Sequence, residues 1–201
     1  MQNVVDTRLS IRGEKLIQGF EGFCLKFYGD SKGYPTVGYG HLITSKERYK
    51  VNTTGNPQDS LLTAAQVSAL VKKYNLAYTS PITQSKADEF FEDDVASAVQ
   101  AVNDIKLPSG CVFSQAQFDA MVSIVFNSGG KILKTNDMIA MLKMRNIFAW
   151  DGLTSSQCDA CSKAVSKAFS YDKSLKPRRN KEAELFCEQK PYTHKYKVYT
   201  L

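Results

Sequence analysis

Apolar positions recur first at helical spacing. Ile11, Leu16, Ile17 and Phe20 follow Ser10, and Gly22 supplies a stop, so a helix is predicted to end near Glu21. From Cys24 to Tyr39 the pattern turns to β-type residues broken by Gly-Asp-Ser-Lys-Gly, which predicts two short antiparallel strands joined by a turn. The polar stretch KERYKVNTTGNPQDS then reads as a surface loop. Thr63-Ala-Ala-Gln66 is a capping box opening a helix that runs to about Tyr74. After a second polar gap, TSPITQS, the stripe Phe90, Phe91, Val95, Ala98, Val99 and Val102 predicts a long helix over about 85–103, a natural bridge between two lobes.

The remainder reads as helices. Ser114-Gln-Ala-Gln117 is another capping box, followed by Phe118, Met121, Val122, Val125 and Phe126, with Gly129-Gly130 as the stop. Thr135 or Asn136 caps the next helix, whose Met138, Met141, Leu142 and Met144 are expected to fill core. Two more helices are predicted at about 157–170 and 177–188. In the final PYTHKYKVYTL, Tyr192, His194, Tyr196 and Val198 alternate with more polar residues, and this pattern is expected to dock as an edge strand rather than stay free.

Composition narrows the partners. The 201 residues suit one domain of two lobes, and the formal net charge of +6, densest at KPRRNK and in the final KYK, favours a polyanion. No helix concentrates Lys and Arg on one face beyond KPRRNK and no nucleic-acid motif appears, so a nucleic-acid partner is not expected. No apolar run approaches the roughly 20 residues that span a bilayer. Asp6, Arg8, Arg12, Glu14 and Lys15 interrupt the start, so neither a signal peptide nor stable membrane insertion is expected. The five cysteines are an odd set without framework spacing, which suits synthesis in a reducing compartment. Cys158-Asp-Ala-Cys161 is a lone CxxC, read as two helix-face thiols in preference to a zinc or redox site.

The chemistry gathers near the start, in QGFEGFCLKFYGDSKGYPTVGYGH. Hydrolysis of an acetal between two sugars needs an acid for the leaving oxygen and a second carboxylate to activate water or stabilise the oxocarbenium-like centre. Glu21 falls in the last turn of a helix, where the dipole and the neighbouring Phe20 and Phe23 favour the protonated acid. Asp30 lies in a glycine-flanked polar turn suited to a carboxylate. Thr36, on the second strand, can face back toward that turn and share a water with Asp30. Taken singly, the three read as a surface helix residue, a turn former and a strand filler; their order and spacing together favour a site.

That spacing resembles the phage-type lysozymes, glycoside hydrolase family 24, whose pattern is Glu, eight residues, Asp or Cys, five residues, Thr, then Gly-x-Gly-His. Here it is Glu21, Asp30, Thr36 and Gly38-Tyr-Gly40-His41. The resemblance continues in the family's order at ITQSKADEFFEDDVASAVQAV, FDAMVSIVFNSGG and SLKPRRNKEAELF, covering most of residues 8–188. It departs in the longer segment between His41 and Ile82, and the tail lies beyond it.

What the resemblance implies is an α+β lysozyme fold. The small lobe with its short antiparallel sheet would span about 20–82, and the mostly helical lobe about 1–19 and 104–188; 83–103 would be the interlobe helix, 189–201 the tail, with a cleft between the lobes. It implies Glu21 as general acid, Asp30 and Thr36 as the water-handling pair, His41 with Asp94 as a structural pair, and Leu42, Phe126 and Arg178 near substrate. The expected activity is hydrolysis of the β-1,4 bond between N-acetylmuramic acid and N-acetylglucosamine in the peptidoglycan of the bacterial cell wall, by a monomer needing no cofactor and no metal. It would be made in the cytoplasm and act in the periplasm or wall after release through a holin or delivery by a secretion machine. A phage endolysin, a tail lysozyme and a secreted antibacterial effector remain open alternatives. A lysozyme-like module that only binds wall would keep the groove and lose the acid, which the presence of Glu21, Asp30 and Thr36 argues against.

Overall fold

The computed structural model of the protein describes residues 7–150, 152–170 and 172–188, and the tail pattern at Tyr192–Tyr199 lies outside them. The chain divides into two units, one of Ile17–Val95 and one combining the residues up to Leu16 with those from Ala96 onward. The division falls inside two helices, α1 (Ile11–Glu21) and α3 (Gln84–Asn103). A small antiparallel sheet with mostly helical surroundings makes the protein α+β.

In the first unit, β1 (Cys24–Gly29), β2 (Pro35–Gly38) and β3 (His41–Leu42) form a sheet in the order β1-β2-β3. β1 and β2 pair through Cys24↔Gly38, Tyr28↔Thr36 and Gly29↔Pro35, with an irregularity between Cys24 and Tyr28, and β2 pairs β3 through Thr36↔Leu42 and Val37↔His41. The two predicted strands are present; the third, two residues long, has no period to reveal it. Phe27 and Val37 join Val67 and Leu70 of α2 (Ala64–Tyr74) and Ala87 and Phe90 of α3, with Ile82, in one core. Thr63 caps α2 as expected, accepting from Gln66 N while the Gln66 side chain accepts from Thr63 N at 2.8 Å.

The segment read as a surface loop is more ordered than its polarity suggests. Its side chains are largely exposed, yet Asn52 and Ser60 are buried, a short 3-10 turn forms at Pro57–Ser60, and Leu61 bridges to Tyr28. Ser60 Oγ donates to Gly29 O at 2.8 Å and Leu62 N to Phe27 O at 2.9 Å. The order comes from main-chain pairing, which polar composition does not register.

The second unit is built on α4 (Gln115–Ser128), where every residue from Gln117 to Val125 is buried. α4 packs on α7 (Lys176–Phe186), and α5 (Asn136–Leu142) on α6 (Ser155–Phe169). Met121, Met138 and Met141 are fully buried core, as predicted. α6 begins before the predicted 157, because Thr154 and Gln157 form a third capping box. Cys161 is buried on α6 and Cys158 is partly exposed; all five cysteines are free thiols.

The basic stretch KPRRNK corrects the impression of a surface patch. Arg178 and Arg179 are buried, and Glu182 binds both, accepting from Arg178 Nε at 2.9 Å and from Arg179 Nη1. Glu182 also accepts from Ser123 Oγ at 2.6 Å, and Arg179 Nη2 donates to Asn127 and Ser128. A buried charge is tolerable only with such pairing, so these arginines turn inward to brace α7 against α4.

Candidate active site

Glu21 is the last residue of α1, half-buried, and Gly22 turns the chain away with a φ of +71°. A β-carbon added at Gly40 would lie 3.7 Å from Glu21 Oε2. The Gly-Tyr-Gly turn between β2 and β3 therefore passes directly beside the carboxylate, joining two parts of the sequence motif in space.

Asp30 opens the β1–β2 turn. Its main chain closes the hairpin, with Asp30 N donating to Tyr34 O at 2.9 Å and Gly33 N to Asp30 O at 3.0 Å. Its side chain is fixed by main-chain donors: Oδ1 accepts from Lys32 N at 2.7 Å and from Tyr34 N at 2.8 Å. Both bonds fall on one oxygen, so the carboxylate is oriented while Oδ2 makes no hydrogen bond to another described residue.

Thr36 is buried, and its hydroxyl donates to Tyr34 O at 3.0 Å. Tyr34 thus holds both side chains through one residue's main chain, its N–H on Asp30 and its carbonyl on Thr36. Directly across the ladder from Thr36, and so on the same face of the sheet, is Tyr28. Burial, followed by the negative charges at Cys24, Asp30 and Glu21, pushes the Tyr28 phenol up to about 12, so it stays protonated.

His41 and Asp94 come together as expected. The ring Nδ1 lies 3.0 Å from Asp94 Oδ2 and 3.1 Å from Oδ1, and the imidazole stacks on Phe90 with centroids 4.0 Å apart and planes 8° from parallel. Phe90 and Asp94 are four residues apart on α3, hence on one face of it, and together make a notch that the ring fills. Leu42 is exposed on β3. In the second unit, Phe126 is half-buried in the last turn of α4, and Arg178 is buried against Glu182 and Ser123.

Tyr34, Tyr28 and Arg48 escape motif reasoning. Tyr34 acts through its peptide groups, which carry no sequence signal; Tyr28 is visible only as a strand aromatic. Arg48 lies inside the polar loop, yet its guanidinium covers the Tyr34 ring with Cζ 3.9 Å from the centroid.

Comparison with known proteins places this geometry. The chain matches the phage lysozyme family over residues 18–182. It is 27% identical over 179 residues to the endolysin of Acyrthosiphon pisum secondary endosymbiont phage 1, covering 89% of this chain and 97% of that protein. Identity is also 27% over 181 residues to the endolysin of Salmonella phage P22, again covering 89% and 97%. Among solved structures, the endolysin from Escherichia coli O157:H7 phage FAHEc1 superposes with a TM-score of 0.55 at 25% identity, covering 90% of this chain and 93% of that one. The match spans most of the chain and contains every residue described above from Glu21 to Arg178: the chain belongs to the phage lysozyme family and is a glycosidase that degrades peptidoglycan.

Proposed function

We propose that the enzyme hydrolyses the β-1,4 bond between N-acetylmuramic acid and N-acetylglucosamine. In this reading Glu21 protonates the leaving oxygen while Asp30 and Thr36 hold the attacking water. The observation that carries the reading is the tie made by Tyr34, whose N–H and C=O anchor Asp30 Oδ1 and Thr36 Oγ1 together. The Thr36 hydroxyl gives its proton to Tyr34 O, so toward a water it is an acceptor. A water donating one hydrogen to Thr36 and one to Asp30 keeps its lone pairs for the anomeric carbon, and Asp30 takes the proton as the C–O bond forms. The two carboxyl groups supply acid and base, so the reaction calls for no cofactor and no metal.

His41 with Asp94 is read as a structural pair that fixes β3 to α3. On the family resemblance, Leu42 and Phe126 are read as substrate contacts and Arg178 as lying at the edge of the site. The enzyme is taken to act as a monomer, reaching the wall from the cytoplasm by holin release or a secretion machine.

The reading is tested on purified peptidoglycan by reducing the new sugar ends with borohydride. N-acetylmuramic acid is expected at those ends, and N-acetylglucosamine would refute the bond assignment. Glu21→Gln is expected to abolish lysis with a nearly unchanged melting temperature, because the amide fits the space and its N–H is far too weak an acid to protonate the leaving oxygen. Substantial lysis by that variant would mean another residue is the acid.

A further inference from the structure

The long segment after β3 returns over the Asp30 turn as a strap. Tyr49 N donates to Gly33 O at 2.7 Å, and Asn52 N to Asp30 O at 2.9 Å. The approach is so close that both flanking glycines are required. A β-carbon at Gly29 would stand 2.1 Å from Lys50 O, and one at Gly33, which has a φ of +81°, would stand 2.8 Å from Tyr49 O. The Gly-Asp-Ser-Lys-Gly signature therefore does more than turn the chain; it makes room for the strap on both sides of Asp30.

One side chain of the strap grips the turn. Arg48 lies over the face of Tyr34, donates from Nη2 to the Tyr34 hydroxyl at 2.7 Å, and donates from Nη1 to Lys32 O. Lys32 and Tyr34 are the two residues whose amides hold Asp30 Oδ1. The guanidinium thus engages both residues that orient the carboxylate, through a planar fork and a stacked face that an ammonium does not offer.

We propose that Arg48 is a positioning residue for hydrolysis, holding the 30–34 turn so that the Lys32 and Tyr34 amides present Asp30 to the water. The inference rests on the water-handling role proposed for Asp30. It gives the segment between β3 and α2 a working part in the reaction, carried out from an exposed position without touching substrate. Because Arg48 is exposed, its contacts add little to global stability, and their effect falls on the geometry of the turn.

The test uses the full chain and a soluble peptidoglycan fragment. Arg48→Ala is expected to lower kcat about tenfold, short of the roughly hundredfold that a 1 Å misplacement can cost. KM should stay within about twofold. The melting temperature should barely move, while the Tyr34 amide, read by hydrogen exchange, should lose protection. Arg48→Lys is expected to be as impaired as Arg48→Ala, since a compact ammonium has neither the planar fork that spans the Tyr34 hydroxyl and the Lys32 carbonyl nor the face that stacks on the ring. A raised KM with unchanged kcat would make Arg48 a substrate contact, and full activity in Arg48→Lys would reduce it to a charge; either overturns the proposal, as does an Arg48→Ala enzyme with wild-type kcat. If Arg48→Ala does not fold, Tyr34→Phe removes one hold of the fork, and wild-type exchange at the Lys32 and Tyr34 amides would then overturn it. Failure of the underlying reading shows separately, as full activity in Asp30→Ala.

Discussion

The proton on the Thr36 hydroxyl has a fixed destination, and that makes a stereochemical statement. Bonded to Tyr34 O at 3.0 Å, the hydroxyl has only lone pairs left for a further partner, a useful arrangement for a water shared with Asp30 and an idle one for an aspartate that attacks the sugar itself. Inversion of configuration is therefore expected, which requires carboxyl groups roughly 6.5 to 9.5 Å apart, against roughly 5 to 5.5 Å for a nucleophilic partner. Thr36→Val keeps the side-chain volume and removes the acceptor, so activity should fall by roughly two orders of magnitude. Stability should drop by only about 1 kcal/mol, since Tyr34 O still accepts from Asp30 N. Proton NMR of the first anomer released decides the matter: early α product supports the water, and early β product makes Asp30 the nucleophile.

Among the elements, the junction of β3 with α3 shows most clearly a structural role beside a chemical one. His41 fills the Phe90–Asp94 notch, stacked on one residue and bonded to the other, and both partners belong to α3. His41→Asn loses the stacked face and the ring donor, and a stability loss of about 1 to 2 kcal/mol is expected in urea unfolding, with the Asp94 bond discounted because that carboxylate is a third exposed. The kcat should change less than the stability; lost activity at intact stability would make His41 part of the chemistry. Helices and the caps at Thr63 and Ser114 were readable, because those side chains satisfy amides a few residues away and the rule is local; the same box at Thr154 went unread, so α6 starts earlier than predicted. Glu21, Asp30 and Thr36 stood out as candidates for the same reason, carried by fixed spacing in one short stretch. The strap was not: its contacts join carbonyls and amides near residues 30 and 50, and the sequence shows the glycines without showing which chain fills the space they leave.

Over the whole molecule, formal charge and actual charge presentation diverge. The excess of +6 suits a polyanionic wall, yet Arg178 and Arg179, in the densest basic run, face inward on Glu182, so outward charge is more dispersed than the sequence suggests. Buried titratable groups in both units also couple stability to alkaline pH. Burial first, and then the neighbouring thiol, raises Cys161 from 9.0 to about 11 and Cys187 from 9.0 to about 12, while Tyr28 rises from 10.0 to about 12. Each folded group keeps its proton above the pH at which its unfolded counterpart releases it, so between those values the native state binds more protons. Stability is then full below about pH 9 and falls as pH rises, each group contributing up to about 1.4 kcal/mol per pH unit within its own window. Urea unfolding under reductant from pH 8 to 11 should show this decline. Cys187→Ala starts lower because a buried side chain is lost, but its decline above pH 9 should be shallower than that of the wild type. Parallel slopes in the two proteins would show that the Cys187 thiol releases its proton in the folded chain as readily as in the unfolded one.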